Sequence, residues 1–206
     1  MRHGERFNAI SHLAGTALAL AGGIILIVLA SRGGDAWKVT SVSIYSATLV
    51  LLFTFSTLYH GLSGKLKGLF QKFDHQSIYL LIAGSYTPFC LVTLRGTWGW
   101  SLFGTVWGMA LLGMLQEFFF QKTDRRRLSL VIYVVMGWAV VAAIVPLIDT
   151  LGTAGLLWLG AGGLCYTGGI VFYIFDDRFR HWHGIWHLFV LAGGTMHYIA
   201  VLLYVL

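Results

Sequence analysis

The chain has 206 residues, 57% of them hydrophobic and 11% charged, with a formal net charge of +6 and a mean hydropathy of +0.77. A soluble domain carries about a quarter charged residues, so the composition excludes one and predicts an all-α polytopic membrane protein. At roughly 20 apolar residues per spanning helix, the length takes about seven spans in a single domain, residues 1–206, with no room for a separate soluble domain.

In chain order, Met1–Ile10 is a short polar lead-in with Arg2, Glu5, Arg6 and Asn8. The first span runs from Ser11-His12 to about Ala30. No small-residue cleavage site ahead of a soluble domain follows it, which predicts a retained helix rather than a cleaved leader. Gly15, Ala19 and Gly23 form a small-residue stripe suited to close helix approach. After the turn-rich Ser31–Asp35, a second span covers about Val39–Tyr59 and ends in Ser56-Thr-Leu-Tyr-His60. A loop, Gly61–Lys72, leads to a third span opened by Phe73-Asp74-His75 and reaching about Leu94, with Pro88 predicting a kink or local loosening. The fourth span, about Leu102–Phe120, contains a Gly104/Gly108 pair read as a second close-approach site. The basic stretch Gln121–Arg127 is read as a loop. The fifth span covers about Leu128–Ile148 with Pro146 near its exit, and Asp149–Gly152 makes a tight connection. The sixth, glycine-rich span covers about Leu156–Phe175, the last loop is Asp176–His181, and the seventh span begins near His183. Cys90 and Cys165 lie in apolar segments and suggest neither a disulfide framework nor a CxxC metal site.

With the N-terminus in the cytoplasm, the cytoplasmic segments hold Arg2, Arg6, Lys65, Lys67, Lys72, Lys122, Arg125, Arg126, Arg127, Arg178 and Arg180, eleven basic residues. The other side holds three, Arg32, Lys38 and Arg95. The positive-inside rule therefore predicts a cytoplasmic N-terminus and an external C-terminus. The excess positive charge belongs to cytoplasmic loops, and nucleic-acid binding is not expected.

His183-Gly-Ile-Trp-His187 opens the last span. Histidines four apart share one helix face, so both rings reach one metal ion or one patch of interfacial water. On the predicted topology His60, Asp74, His183 and His187 all lie at the cytoplasmic ends of their helices. Three imidazoles leave tetrahedral Zn²⁺ one open position, the arrangement of catalytic zinc, with water as fourth ligand. Asp74 is placed to hold that water and take its proton. Ser56, one turn deeper than His60 on the same face, either bonds to Asp74, the water or a substrate carbonyl, or bonds to its own helix backbone. His197 lies ten residues beyond His187, about 15 Å deeper at 1.5 Å per residue, and cannot share the metal. A hydrogen bond in the bundle interior is expected of it. His3 and His181 are read as solvated, His75 as interfacial, and His12 as a polar contact rather than a ligand.

Ser56-x-x-x-His60, Phe73-Asp74 with Gly84-Ser-Tyr-Thr-Pro88, and His183-x-x-x-His187 resemble the three signature segments of the progestin and adipoQ receptor family. The opening Glu5-Arg-Phe-Asn-Ala-Ile-Ser-His12 is similar to its bacterial hemolysin III branch. The resemblance covers nearly the whole chain. It implies seven helices with the N-terminus inside, a bacterial inner membrane location, and zinc near the cytoplasmic face on His60, His183 and His187. It also places Asp74 near the zinc-bound water, Ser56 near the same site, and lipid amide hydrolysis as the chemistry, with a membrane lipid or fatty-acid-like ligand as partner.

Two functions are therefore expected to compete. One is a zinc-dependent hydrolase of a lipid amide or ester. The other is a non-enzymatic protein of lipid sensing or membrane homeostasis, in which zinc locks helix ends together. A pore is disfavoured, because the charge-free spans show no continuous polar stripe to line a channel.

Overall fold

The computed structural model describes residues 5–119 and 122–206. The expectations for Arg2, His3, Phe120 and Gln121 lie outside them. The described residues are helical, with no strand among them: α1 Glu5–Arg32, α2 Ala36–Gly61, α3 Gly64–Pro88, α4 Thr97–Phe119, α5 Lys122–Trp138, α6 Ile144–Ile174 and α7 Trp182–Tyr204. Two short irregular turns interrupt the series, a π-helical turn at Phe89–Thr93 and a 3₁₀ turn at Ala139–Ala143.

Helices start earlier than the hydropathy pattern suggested. The lead-in from Glu5 is continuous with α1, most of the Gly61–Lys72 loop is the first two turns of α3, and the basic Lys122–Arg127 stretch is the start of α5. Charged residues extend a helix beyond the apolar layer at no cost to its hydrogen bonding, so hydropathy marks the buried part and not the helix end. Asp35 caps α2, its carboxylate accepting from Trp37 N–H at 2.8 Å.

Gly152 (φ 68°, ψ 169°) breaks α6 in a left-handed conformation that glycine adopts without steric penalty. The chain folds back there. Arg126, at the start of α5, meets Tyr173, Asp176 and Asp177, and Trp138 Nε1–H donates to Thr167 Oγ1 at 3.2 Å. Residues 122–151 and 153–174 thus form an antiparallel pair about the tight connection expected at Asp149–Gly152.

Pro88 carries the loosening expected of it. The helix passes into the π turn directly after it, with Leu94 N–H bonding to the Phe89 carbonyl at 2.7 Å. The 3₁₀ turn in the fifth span has a different neighbour. Tyr86 of α3 inserts its hydroxyl into the α5 ladder, donating to the Met136 and Gly137 carbonyls (2.7 and 2.8 Å) and accepting from Val140 N–H (3.0 Å). A side chain that takes over a backbone bond in this way bends and tightens the helix.

The Gly15/Ala19/Gly23 stripe is buried. A β-carbon on Gly15 would stand 2.7 Å from Leu191 Cδ2 and one on Gly23 2.8 Å from Ser46 Cβ, so α1 lies against α7 and α2 as closely as glycine permits. Gly104 and Gly108 do not make the second close-approach site expected. Both face outward with open space around them. The packing face of α4 is instead Leu102, Val106 and Ala110. The large interfaces are α1–α2, α2–α3 and α6–α7, around fully buried Leu26, Tyr45, Tyr79, Val106, Met136 and Leu147. The outer surface is strongly apolar, with Leu18 and Leu157 each 68% exposed. Five stretches among the described residues are long and apolar enough to cross a membrane: Glu5–Arg32, Ala36–Gly61, Thr97–Glu117, Arg126–Ile174 and Trp182–Tyr204.

Candidate metal centre

The last turn of α2 and the first two turns of α7 meet at one end of the bundle. His60 (4% exposed) and His187 (2%) are buried there, and His183 is half-buried. The three rings form a nearly equilateral triangle, with centroids 5.0, 5.0 and 4.9 Å apart. One nitrogen from each lies within 4.8 Å of the others, an arrangement that could hold a metal ion.

The hydrogen bonds around the rings fit such an ion. His183 Nδ1–H donates to Asp176 Oδ2 at 2.7 Å. His187 Nδ1 lies 3.2 Å from the Asn8 carbonyl, which can only accept, so this nitrogen carries the proton. Ser11 Oγ is 3.4 Å from the same nitrogen. In both rings the tautomer so fixed leaves Nε2 as a lone pair, the form a metal requires. His60 has neither nitrogen hydrogen-bonded, although both are buried. A buried imidazole without partners is costly, and a shared cation would satisfy one of its two nitrogens. The donor set of three imidazoles suits a divalent transition-metal ion.

Asp176 is itself anchored. Arg126 donates to its Oδ1 at 2.7 Å, to Asp177 Oδ2 at 2.9 Å and to the Tyr173 carbonyl at 2.7 Å, and its guanidinium lies over the Tyr173 ring at 4.6 Å. Burial alone would raise the Asp176 carboxyl. Hydrogen bonds from His183 and Arg126 outweigh it and hold the group below its ordinary value. Sequence reasoning missed Asp176, Arg126 and Asn8. Asp176 and Arg126 read as ordinary members of a charged end, and Asn8 contributes a backbone carbonyl, for which no side-chain signal exists.

Asp74 and Ser56 come together. Ser56, 1% exposed, lies beside the Asp74 carboxyl. Both line a mostly apolar interior cavity whose wall also includes His183 and His187. From Asp74 to Tyr86 on α3, both on that wall, the axial distance is about 18 Å at 1.5 Å per residue. A second, more polar cavity lies on the other side of the cluster. Its wall holds His60, Asn8, Lys72, Arg126 and Asp176, and His183 belongs to both.

The remaining histidines divide. His197 Nε2–H donates to the Leu159 carbonyl at 3.1 Å, the interior hydrogen bond expected of it. His181 is exposed. His75 is half-buried and faces both cavities rather than open water. His12 is 3% exposed and stacks flat on His187, centroids 3.7 Å apart and planes 13° from parallel.

Residues 1–198 match the family model described as haemolysin-III related. Among curated relatives, Hemolysin-3 of Bacillus cereus is 42% identical over 98% of this chain and 92% of its own length. The Hemolysin-3 homolog of Bacillus subtilis (strain 168) is 41% identical over 97% and 93%. Monocyte to macrophage differentiation factor of Homo sapiens is 30% identical over 94% and 81%. With the family model matching nearly the whole of this chain and bacterial hemolysin-3 proteins at this identity, the chain belongs to the haemolysin-III-related family, the hemolysin III branch of the progestin and adipoQ receptor family.

Proposed function

We propose that this protein binds zinc at His60, His183 and His187 and hydrolyses the amide or ester bond of a membrane lipid, from a single seven-span domain with its N-terminus in the cytoplasm. One observation carries the reading: Ser56, Asp74, His183 and His187 share the wall of one long apolar cavity. A site of this kind presents polar groups to a head group and apolar surface to an acyl chain.

The fold-back at Gly152 supports two crossings within Arg126–Ile174. A further crossing is α3 with its π turn, where polar residues fill the first half and the regular helix stops at Pro88. Together with α1, α2, α4 and α7 these make seven. Most of the basic residues belong to helix ends and loops on the side that carries the histidines, which supports a cytoplasmic zinc site.

When bound, zinc supplies a water of lowered pKa and a Lewis acid that polarises a carbonyl. The chain does the rest. Asp176 and the Asn8 carbonyl keep His183 and His187 in the metal-binding tautomer. The Asp74 carboxylate takes a proton and returns it to the leaving amine or alkoxide, while the Ser56 hydroxyl fixes its orientation. The apolar wall, with Leu52, Ile78, Ile82 and Val190, holds the acyl chain and excludes water. A second reading, a zinc that only clamps the end of α2 to the start of α7 in a lipid-sensing protein, draws on the same triangle of rings.

Hydrolysis is tested by offering the purified, zinc-loaded protein a panel of ceramides, acyl amides and acyl esters and following free fatty acid. Wild type should cleave at least one, zinc removal should abolish the activity, and zinc return should restore it. Asp74→Asn should keep most of its zinc and lose turnover about 10²- to 10⁴-fold, the usual worth of a general base. A folded, zinc-loaded wild type that cleaves no lipid favours the sensing reading. An Asp74→Asn variant as fast as wild type overturns the mechanism.

A further inference from the structure

The metal cluster accounts for His60, His183 and His187 but not for a fourth buried histidine beside them. His12 is 3% exposed, and both of its ring nitrogens are buried without a hydrogen-bond partner. One face of the ring is covered by His187, and Phe53 packs edge-on against it at 5.1 Å between centroids. The ring is therefore held in place while its polar edge is left unmatched. His12 is not part of the group that could hold a metal, so an ion on the other three leaves its nitrogens unmatched still. The same residue lines the interior cavity beside Ser56, Asp74 and His187.

We propose that His12 is a binding residue for the polar head of the acyl lipid that enters this cavity, an inference that rests on the acyl-lipid reading above. A neutral imidazole offers one N–H donor and one lone-pair acceptor from a single rigid ring. A carboxylate accepts from the N–H, and a carboxylic acid or an amide offers the full complementary pair. Among the described residues of the wall, the Nδ1 atoms of His183 and His187 are engaged with Asp176 and Asn8, whereas both ring nitrogens of His12 are unmatched. The stack on His187 sets His12 against the histidine cluster, so a head group that faces the cluster meets His12, and His12 selects acyl chains with a hydrogen-bonding head.

The test uses the full-length, zinc-loaded protein in detergent, with palmitate as the probe. His12→Phe keeps a flat ring for the stack and removes both nitrogens. His12→Gln removes the ring but restores one donor and one acceptor. Metal content and thermal unfolding are measured on each variant alongside palmitate binding by calorimetry. We expect His12→Phe to keep its zinc and to bind palmitate at least about tenfold more weakly, the worth of one hydrogen bond to a charged group. We expect His12→Gln to bind more tightly than His12→Phe even where loss of the ring lowers thermal stability. Equal palmitate affinity in wild type and both variants overturns the inference and leaves the acyl-lipid reading standing. Loss of zinc in His12→Phe also overturns it, by making His12 part of the metal centre. A folded wild type that binds no palmitate overturns the acyl-chain reading and this inference with it.

Discussion

At His183 one ring nitrogen meets a carboxylate that is itself gripped by a guanidinium, a chain from Arg126 on α5 through Asp176 to α7. A carboxylate behind a metal-binding imidazole fixes the ring's orientation and raises its basicity. Asp176→Asn keeps a hydrogen-bonding oxygen but loses the charge that pairs with Arg126, so zinc affinity should fall about 10- to 100-fold. Competition with a chelator measures this, and unchanged affinity would show that Asp176 holds only the loop. The partners of the imidazoles were hidden in the sequence while the imidazoles were not. His183 and His187 are four apart on one helix, a local relation that spacing alone displays. Asp176 reaches His183 across a turn, and His187 finds its acceptor 179 residues away in the main chain at Asn8.

Among the elements, α3 and α5 are joined through two tyrosine hydroxyls, Tyr133 donating to the His75 carbonyl at 3.0 Å and Tyr86 entering the α5 ladder. Tyr86 replaces part of the α5 backbone ladder, and Gly137 and Trp138 beside it line the interior cavity. Tyr86→Phe should leave Val140 N–H and its former carbonyl partner unpaired and cost about 1–3 kcal/mol, the penalty for a stranded buried group. Thermal or denaturant unfolding in detergent would register it, and an unchanged melt would mean that α5 re-forms its own bond. Proline and glycine signals in the sequence located the π turn after Pro88 and the fold-back at Gly152, because both act on the chain within a residue or two. The 3₁₀ turn at Ala139–Ala143 escaped notice because a tyrosine 50 residues away is bonded into that part of the helix. The Gly104/Gly108 pair misled for the converse reason: small residues permit close approach, but only a neighbouring helix on that face uses it.

For the whole molecule, the charge asymmetry makes a claim about the membrane that a reporter can check. A reporter fused after Leu206 should lie outside the cytoplasm, and one placed after Gly64 inside. A cytoplasmic C-terminus would contradict both the orientation and the odd number of spans. The helical bundle was legible because apolar runs of spanning length recur along the chain. The meeting of α2 and α7 was legible only in outline, since depth in the membrane can be counted from sequence and the pairing of helices cannot. On that meeting rests the central claim, that His60, His183 and His187 together hold one metal ion. The most direct measurement is the zinc content of purified protein. Wild type should carry about one zinc per chain, His60→Ala, His183→Ala and His187→Ala should each lose it, and His197→Ala should keep it. Full zinc occupancy after His187→Ala would contradict the account.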